Sequence, residues 1–154
     1  MITMATRSRI AIEDQTGKVR SIYCHWDGYP SNNGRMLLKH FQTQEKVESL
    51  IELGSISSLN KNVEIPEGVS HSFDNPADGI VVAYHRDRDE DLVILDHDSV
   101  EDFVNSDIER YGYVFTAAGE WLCVDAHVDE DDLGRVAKSL ENVLIQETED
   151  EKYL

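Results

Sequence analysis

The chain has two cysteines, Cys24 and Cys123, among 154 residues. Two are too few for a disulfide framework, and a domain this long can fold without one. The cysteines and six histidines show no CxxC or HxxxH spacing, so no metal site is expected. No P-loop, GxGxxG or GxSxG occurs, which removes the common phosphate-cradling and nucleophile-elbow motifs. No cofactor is expected. No apolar run approaches the ~20 residues that span a bilayer. The opening residues, MITMATRSRI, lack the apolar core of a signal peptide. These absences point to a soluble cytoplasmic protein with reduced thiols and no membrane partner.

Positive charge is the scarcest commodity. There are 14 Lys and Arg against 31 Asp and Glu, a net charge of −17. The deficit is lopsided: residues 1–86 carry 10 acids and 9 bases, whereas residues 87–154 carry 21 acids and 5 bases. Direct nucleic-acid binding needs clustered Lys and Arg, so it is not expected. A basic protein surface is the natural complement of such a half.

Periodicity gives a coarse layout. SRIAIEDQTGKVRSIYCHW reads as a β-hairpin turning at DQTG, stopped by Asp27-Gly28 and Pro30. A helix is expected from Ser31–Asn33 through GRMLLKHF. Thr43 should cap the next, QEKVESLIEL, with Gly54 at its end. Residues 55–79 read as a loop-rich insert with room for a short strand. IVVAYH reads as a buried central strand, RDRDED as a turn, and LVIL as another strand. DSVEDFVNSDIERYG reads as a helix capped by Ser99, with Asp102 at N3, and ended by Gly112. YVFTAAGEWLCV reads as a second hairpin. A last, acidic helix is expected from about Asp129, fraying into a tail. With no regular βαβ alternation and no linker, the expected fold is one α+β domain over residues 1–154. Its sheet should be mainly antiparallel, with three to four helices on one face or end.

Three stretches carry candidate chemistry. In CHWDGYP, His25 and Asp27 share a face if extended, so Asp27 could orient His25 as a general base. Trp26 and Tyr29 are candidate recognition aromatics. The plainer reading is a strand end and an Asp-Gly turn, with Trp26 capping the core. In AYHRDRDED, Arg86 and Arg88 could clamp a phosphate or carboxylate, with His85 beside them. Its plainer reading is a solvated turn whose charges pair. A calcium loop on Asp87, Asp89 and Asp91 fails, because Leu92 stands where glycine is needed and Asp98 where glutamate is. The third is the cluster Asp129, Glu130, Asp131 and Asp132. A helix dipole accounts for a few of these acids. The remainder could match the charge density of DNA, about one charge per 1.7 Å, or could serve solubility.

RSRIAIEDQTGKVRSIYCHWDGYPSNNGRMLLKHF and SFDNPADGIVVAYHRDRDED resemble a family of small uncharacterised proteins encoded by tailed phages, prophages and some bacteria. There a short hairpin, SIYCHWDGYP, a helix start and a later AYHRDR recur. The resemblance covers about residues 6–120. It implies a phage or mobile-element protein acting in the cytoplasm of a bacterial host cell, and brings no activity, cofactor or catalytic residue with it. This chain departs at Asp89-Glu90-Asp91, where a Gly-containing turn is usual, and in the acidic helix beyond the shared core.

The leading expectation is a non-enzymatic accessory protein that binds and modulates a basic, nucleic-acid-binding host or phage protein. Anti-defence and host-takeover roles, including DNA mimicry, fit it. The alternative is a nucleotide-binding module or small enzyme. CHWDGYP and AYHRDR would then line one pocket, with His25, Asp27 and His85 as the groups for proton transfer. A third reading is a homo-oligomer joined through the exposed aromatics.

Overall fold

The computed structural model describes residues 5–127 and 134–151. Its strands are β1 (Ser8–Glu13), β2 (Val19–Cys24), β3 (Ile56–Ser58), β4 (Val82–Ala83), β5 (Leu95–His97), β6 (Tyr111–Phe115), β7 (Trp121–Asp125) and β8 (Lys138–Ser139). Its helices are α1 (Arg35–His40), α2 (Gln44–Ile51), α3 (Tyr84–Arg88), α4 (Val100–Val104) and α5 (Leu140–Glu151), with a wide π-helical turn at Pro30–Gly34 leading into α1.

One sheet holds all the strands in the order β4-β3-β2-β1-β6-β7-β8, with β5 also on β2. The first hairpin forms as expected, Ile10 opposite Ile22. Its turn is fixed by the Asp14 carboxylate, which accepts from the Thr16 amide at 2.8 Å and the Lys18 amide at 3.2 Å. The second hairpin is β6–β7, with Tyr113 opposite Cys123. The two hairpins join through β1 and β6, which run parallel. β2 and β3 are also parallel, at Cys24 and Ile56. Five of the seven pairings are antiparallel, so the sheet is mainly so and the domain is α+β.

Alternation along the strands sorts side chains to two faces. Ile10, Ile12, Ile22, Tyr113, Phe115 and Trp121 pack with Leu37 and Phe41, with Val47, Leu50 and Ile51 of α2, and with Leu140 of α5. Each fully buried aliphatic or aromatic side chain here contributes about 1.5–3 kcal/mol. The Trp121 indole Nε1 donates to the Phe41 carbonyl at 2.8 Å, so this wide ring is buried without a lost hydrogen bond. The second face, Ala11, Val19, Val114 and Val124, is covered by Phe103 and Val104 of α4 and by Ile108.

Caps that depend on neighbouring residues form where expected. Thr43 accepts from the Lys46 amide and Ser99 from the Asp102 amide. Gly54 takes φ +73°, which a β-carbon would resist.

Five expectations fail for tertiary reasons. IVVAYH is not a central strand: Val82 and Ala83 form two residues of edge strand on β3. RDRDED is not simply a turn, because Tyr84–Arg88 coils into α3 and ends at Asp89 in the left-handed region, φ 54°. LVIL is not a buried strand. Only Leu95 enters β5, and Leu92, Val93 and Leu95 are exposed. Gly112 does not end a helix. α4 stops at Val104, and Gly112 lies in β6 where a β-carbon would stand 2.9 Å from Ile108 Cδ1. Its missing side chain lets Ile108 and Phe103 sit directly on the strand. The last helix starts at Leu140, after β8. Asp129, Glu130, Asp131 and Asp132 lie outside the described residues.

Candidate functional site

CHWDGYP is a junction held by its own polar groups. Cys24 is fully buried at the end of β2, and burial pushes its thiol up to about 11. It donates to the Trp26 carbonyl and accepts from Asn33 Nδ2 at 3.3 Å. His25 does not use Asp27. Its Nδ1 lies 2.7 Å from the Tyr23 hydroxyl, and its ring meets Trp26 edge-on at 4.6 Å. Asp27 sits at φ 54°, turning the chain, and its carbonyl accepts from Asn32 Nδ2 and the Asn33 amide. Gly28 is pressed against the start of β1, where a β-carbon would stand 2.7 Å from Ser8 Cβ. The buried Tyr113 hydroxyl donates to the Gly28 carbonyl at 2.6 Å. Trp26 and Tyr29 remain over a third exposed.

AYHRDR is organised around one carboxylate. The Asp87 side chain is 2 % exposed and accepts four hydrogen bonds. They come from Arg86 Nε and Nη2, from the Ala83 amide at 2.8 Å, and from His71 Nε2 at 3.1 Å. Burial raises this carboxyl, but the donors outweigh it and hold the carboxyl below its usual range. Arg86 also donates to the Val63 and Val81 carbonyls. Its guanidinium is therefore a staple between α3 and the 60–80 loop. Arg88 pairs with Glu90 and lies over the rings of Phe73 and Tyr84. His85 bonds the Glu90 carbonyl at 2.7 Å.

His71 is the member that sequence reading missed. Its Nδ1 accepts the Ala77 amide at 3.0 Å, so the proton sits on Nε2 and faces Asp87. Both ring nitrogens are occupied and the side chain is fully buried. An Asp–His pair in this setting fastens a loop. A second unforeseen group lies on the α4 face of the sheet. The Ser21 hydroxyl is 2.7 Å from His97 Nε2 and accepts from Arg9 Nε at 3.0 Å. Ser21 is fully buried and Arg9 nearly so, which makes this pairing part of the packing between β1, β2 and β5.

The two quoted stretches approach each other across β3. The His25 amide donates to Ile56, and Tyr84 to Ser55. A cavity of about 620 Å³ is a groove between α1 and α5 lined by Arg35, Leu38, Lys39, Leu144 and Ile145, and another, of about 570 Å³, is lined by Tyr29 with Thr6, Arg7, Arg110 and Tyr111. One of about 420 Å³ lies under α5 against Pro30, Tyr111 and Cys123. Among the described residues, no three His, Cys, Asp or Glu side chains are grouped to hold a metal, and no helix is long and apolar enough to cross a membrane.

The described acids form a surface of their own. From Asp96 to Glu109 the chain has six acids and no Lys or Arg. Asp96, Asp98, Glu101, Asp102 and Asp107 are exposed. Among the described residues only Asp98 of these makes an ion pair, with Lys18 at 3.9 Å. These residues run from β5 through α4: Glu101 and Asp102 lie on the helix that covers the second face, whereas Asp96, in register with Arg20, alternates to the face opposite His97. No family model, curated protein or solved structure matches the chain.

Proposed function

We propose that this is a non-enzymatic accessory protein of phage or mobile-element type that binds and modulates a basic, nucleic-acid-binding protein. The observation that carries the reading is the Asp96–Glu109 layer, with five exposed acids, no Lys or Arg, and one ion pair among the described residues. Acids that served folding would be paired or placed at helix starts. Glu101 and Asp102 do occupy the first turn of α4, Asp107 attracts the nearly buried Arg9 and Asp98 meets an exposed lysine, but Asp96 does none of these. Unpaired like charges repel, which costs stability unless a partner offsets it. The occupied side chains of Arg86, His71 and His85 argue in the same direction, because they leave the AYHRDR segment few free groups for chemistry.

The test is capture from bacterial host lysate at low and high salt, with competition by duplex DNA. A basic partner that is lost at high salt and displaced by DNA supports the reading. So does its loss when Asp96, Asp98, Glu101 and Asp102 become Asn or Gln. The same substitutions at Asp129–Asp132 would show whether that quartet shares the surface. Association that survives both salt and neutralisation, or a nucleotide retained in the eluate, would overturn it.

A further inference from the structure

β5 is an edge. It pairs with β2 through Leu95–Ser21, Asp96–Arg20 and His97–Val19, and among the described residues no strand pairs with its other side. An unpaired strand edge presents a row of backbone donors and acceptors, which natural sheets usually cover or blunt. Residues 91–94, leading into β5, make no backbone–backbone hydrogen bond among the described residues. The apolar pattern is inverted there. Ile94 packs into the core, while Val93 and Leu95 on either side of it are 43 % and 42 % exposed, and Leu92 is 50 % exposed. Three exposed aliphatics in four residues form a patch, not the scattered apolar exposure normal on a surface.

The charge around the patch selects its occupant. Asp89, Glu90 and Asp91 precede it and Asp96 and Asp98 follow it; Glu90 pairs with Arg88, Arg20 stands opposite Asp96 and Lys18 meets Asp98, which leaves Asp89 and Asp91 without an ion pair among the described residues. A second copy of the chain pairing edge to edge would set these acids against themselves. A basic segment would find apolar contacts for alternate side chains and carboxylates for the others. We propose that the edge from Asp91 to His97 takes up an extended segment of the partner by strand addition. That segment would alternate aliphatic residues with Lys or Arg. Backbone hydrogen bonds would give it a defined register, and Val93 and Leu95 would supply the apolar contact. This inference rests on the acidic-surface reading and specifies its contact.

The probe is a capped, fluorescent octapeptide of alternating lysine and valine, measured by anisotropy at low salt. Two comparisons use the same residues: an isomer with its lysines and valines in separate blocks, and a version with alternate backbone nitrogens methylated. Strand addition predicts that the alternating peptide binds at least ten times more tightly than either. It also predicts slowed amide exchange confined to residues near 91–97, and at least tenfold weakening by V93E/L95E. Equal binding of all three peptides, unmoved by V93E/L95E, would overturn strand addition while leaving the acidic surface intact. No binding by any of them would count against both. Because Val93 and Leu95 are already exposed, the double variant should fold, and its thermal midpoint checks that. Self-association of the free protein, lost in V93E/L95E, would assign the edge to a second copy and overturn the proposal.

Discussion

Asp87 and Asp98 are the same residue type with opposite surroundings. Asp87 is 2 % exposed with four donors around it, whereas the Asp98 side chain is 88 % exposed with one ammonium at 3.9 Å. A buried carboxylate must be matched donor for donor, because water no longer solvates it. An exposed one remains solvated by water and needs no partner for folding. The contrast divides the acid-rich half into a structural member and the exposed acids to which the proposed function assigns recognition. It also explains why charge counts alone could not tell them apart.

The comparison is tested most severely by Asp87→Ala. It leaves Arg86 and His71 facing a buried gap without their acceptor, and should cost about 3–5 kcal/mol. Urea unfolding at neutral pH reads this directly. A loss under 1 kcal/mol would mean that the cluster is looser than its geometry. The same carboxylate should show in the pH profile. Its folded value is depressed, so its stabilisation is complete above the unfolded value of about 4 and is lost as pH falls through the lower folded value. Asp87→Asn should flatten that part of the acid limb.

A smaller effect is expected at the CHWDGYP junction. Tyr113→Phe removes the hydroxyl that satisfies the buried Gly28 carbonyl and should cost about 1–2 kcal/mol. His25→Ala, with its ring half-exposed, should cost less than Tyr113→Phe if the segment is a junction more than a chemical site. The reverse order would make the His25 contacts with Tyr23 and Trp26 the stronger part of the junction.

What the sequence revealed and concealed follows the same division between local and distant causes. The two hairpins, the Thr43 and Ser99 caps and the Gly54 terminus depend on residues within a few positions, and all are legible. The parallel pairing of β1 with β6 joins residues about a hundred apart and leaves no local mark. LVIL misleads because its apolar residues serve two directions, Ile94 inward and its neighbours outward. AYHRDR misleads because Asp87 finds His71 sixteen residues back, in a loop with no periodicity to announce it. Of the candidate site residues, Trp26 and Tyr29 are exposed. Arg86 is legible as an anion binder, but the anion is the next residue in its own chain.

The smallest effect sharpens the comparison furthest. Asp98→Asn breaks one exposed contact with Lys18 and should change stability by no more than about 0.5 kcal/mol, in either direction. Neutralising Asp96, Glu101 and Asp102 along with it relieves repulsion among the acids while removing two charges from the first turn of α4. These effects oppose each other and should nearly cancel. Added salt screens both, so the difference between variant and parent should shrink further. Thermal unfolding at low and high salt measures this difference, and capture of the basic partner measures the other consequence. If stability holds and capture is lost, these acids serve recognition. If the quadruple variant unfolds by several kcal/mol, the layer is structural after all, and the distinction drawn between Asp87 and Asp98 fails.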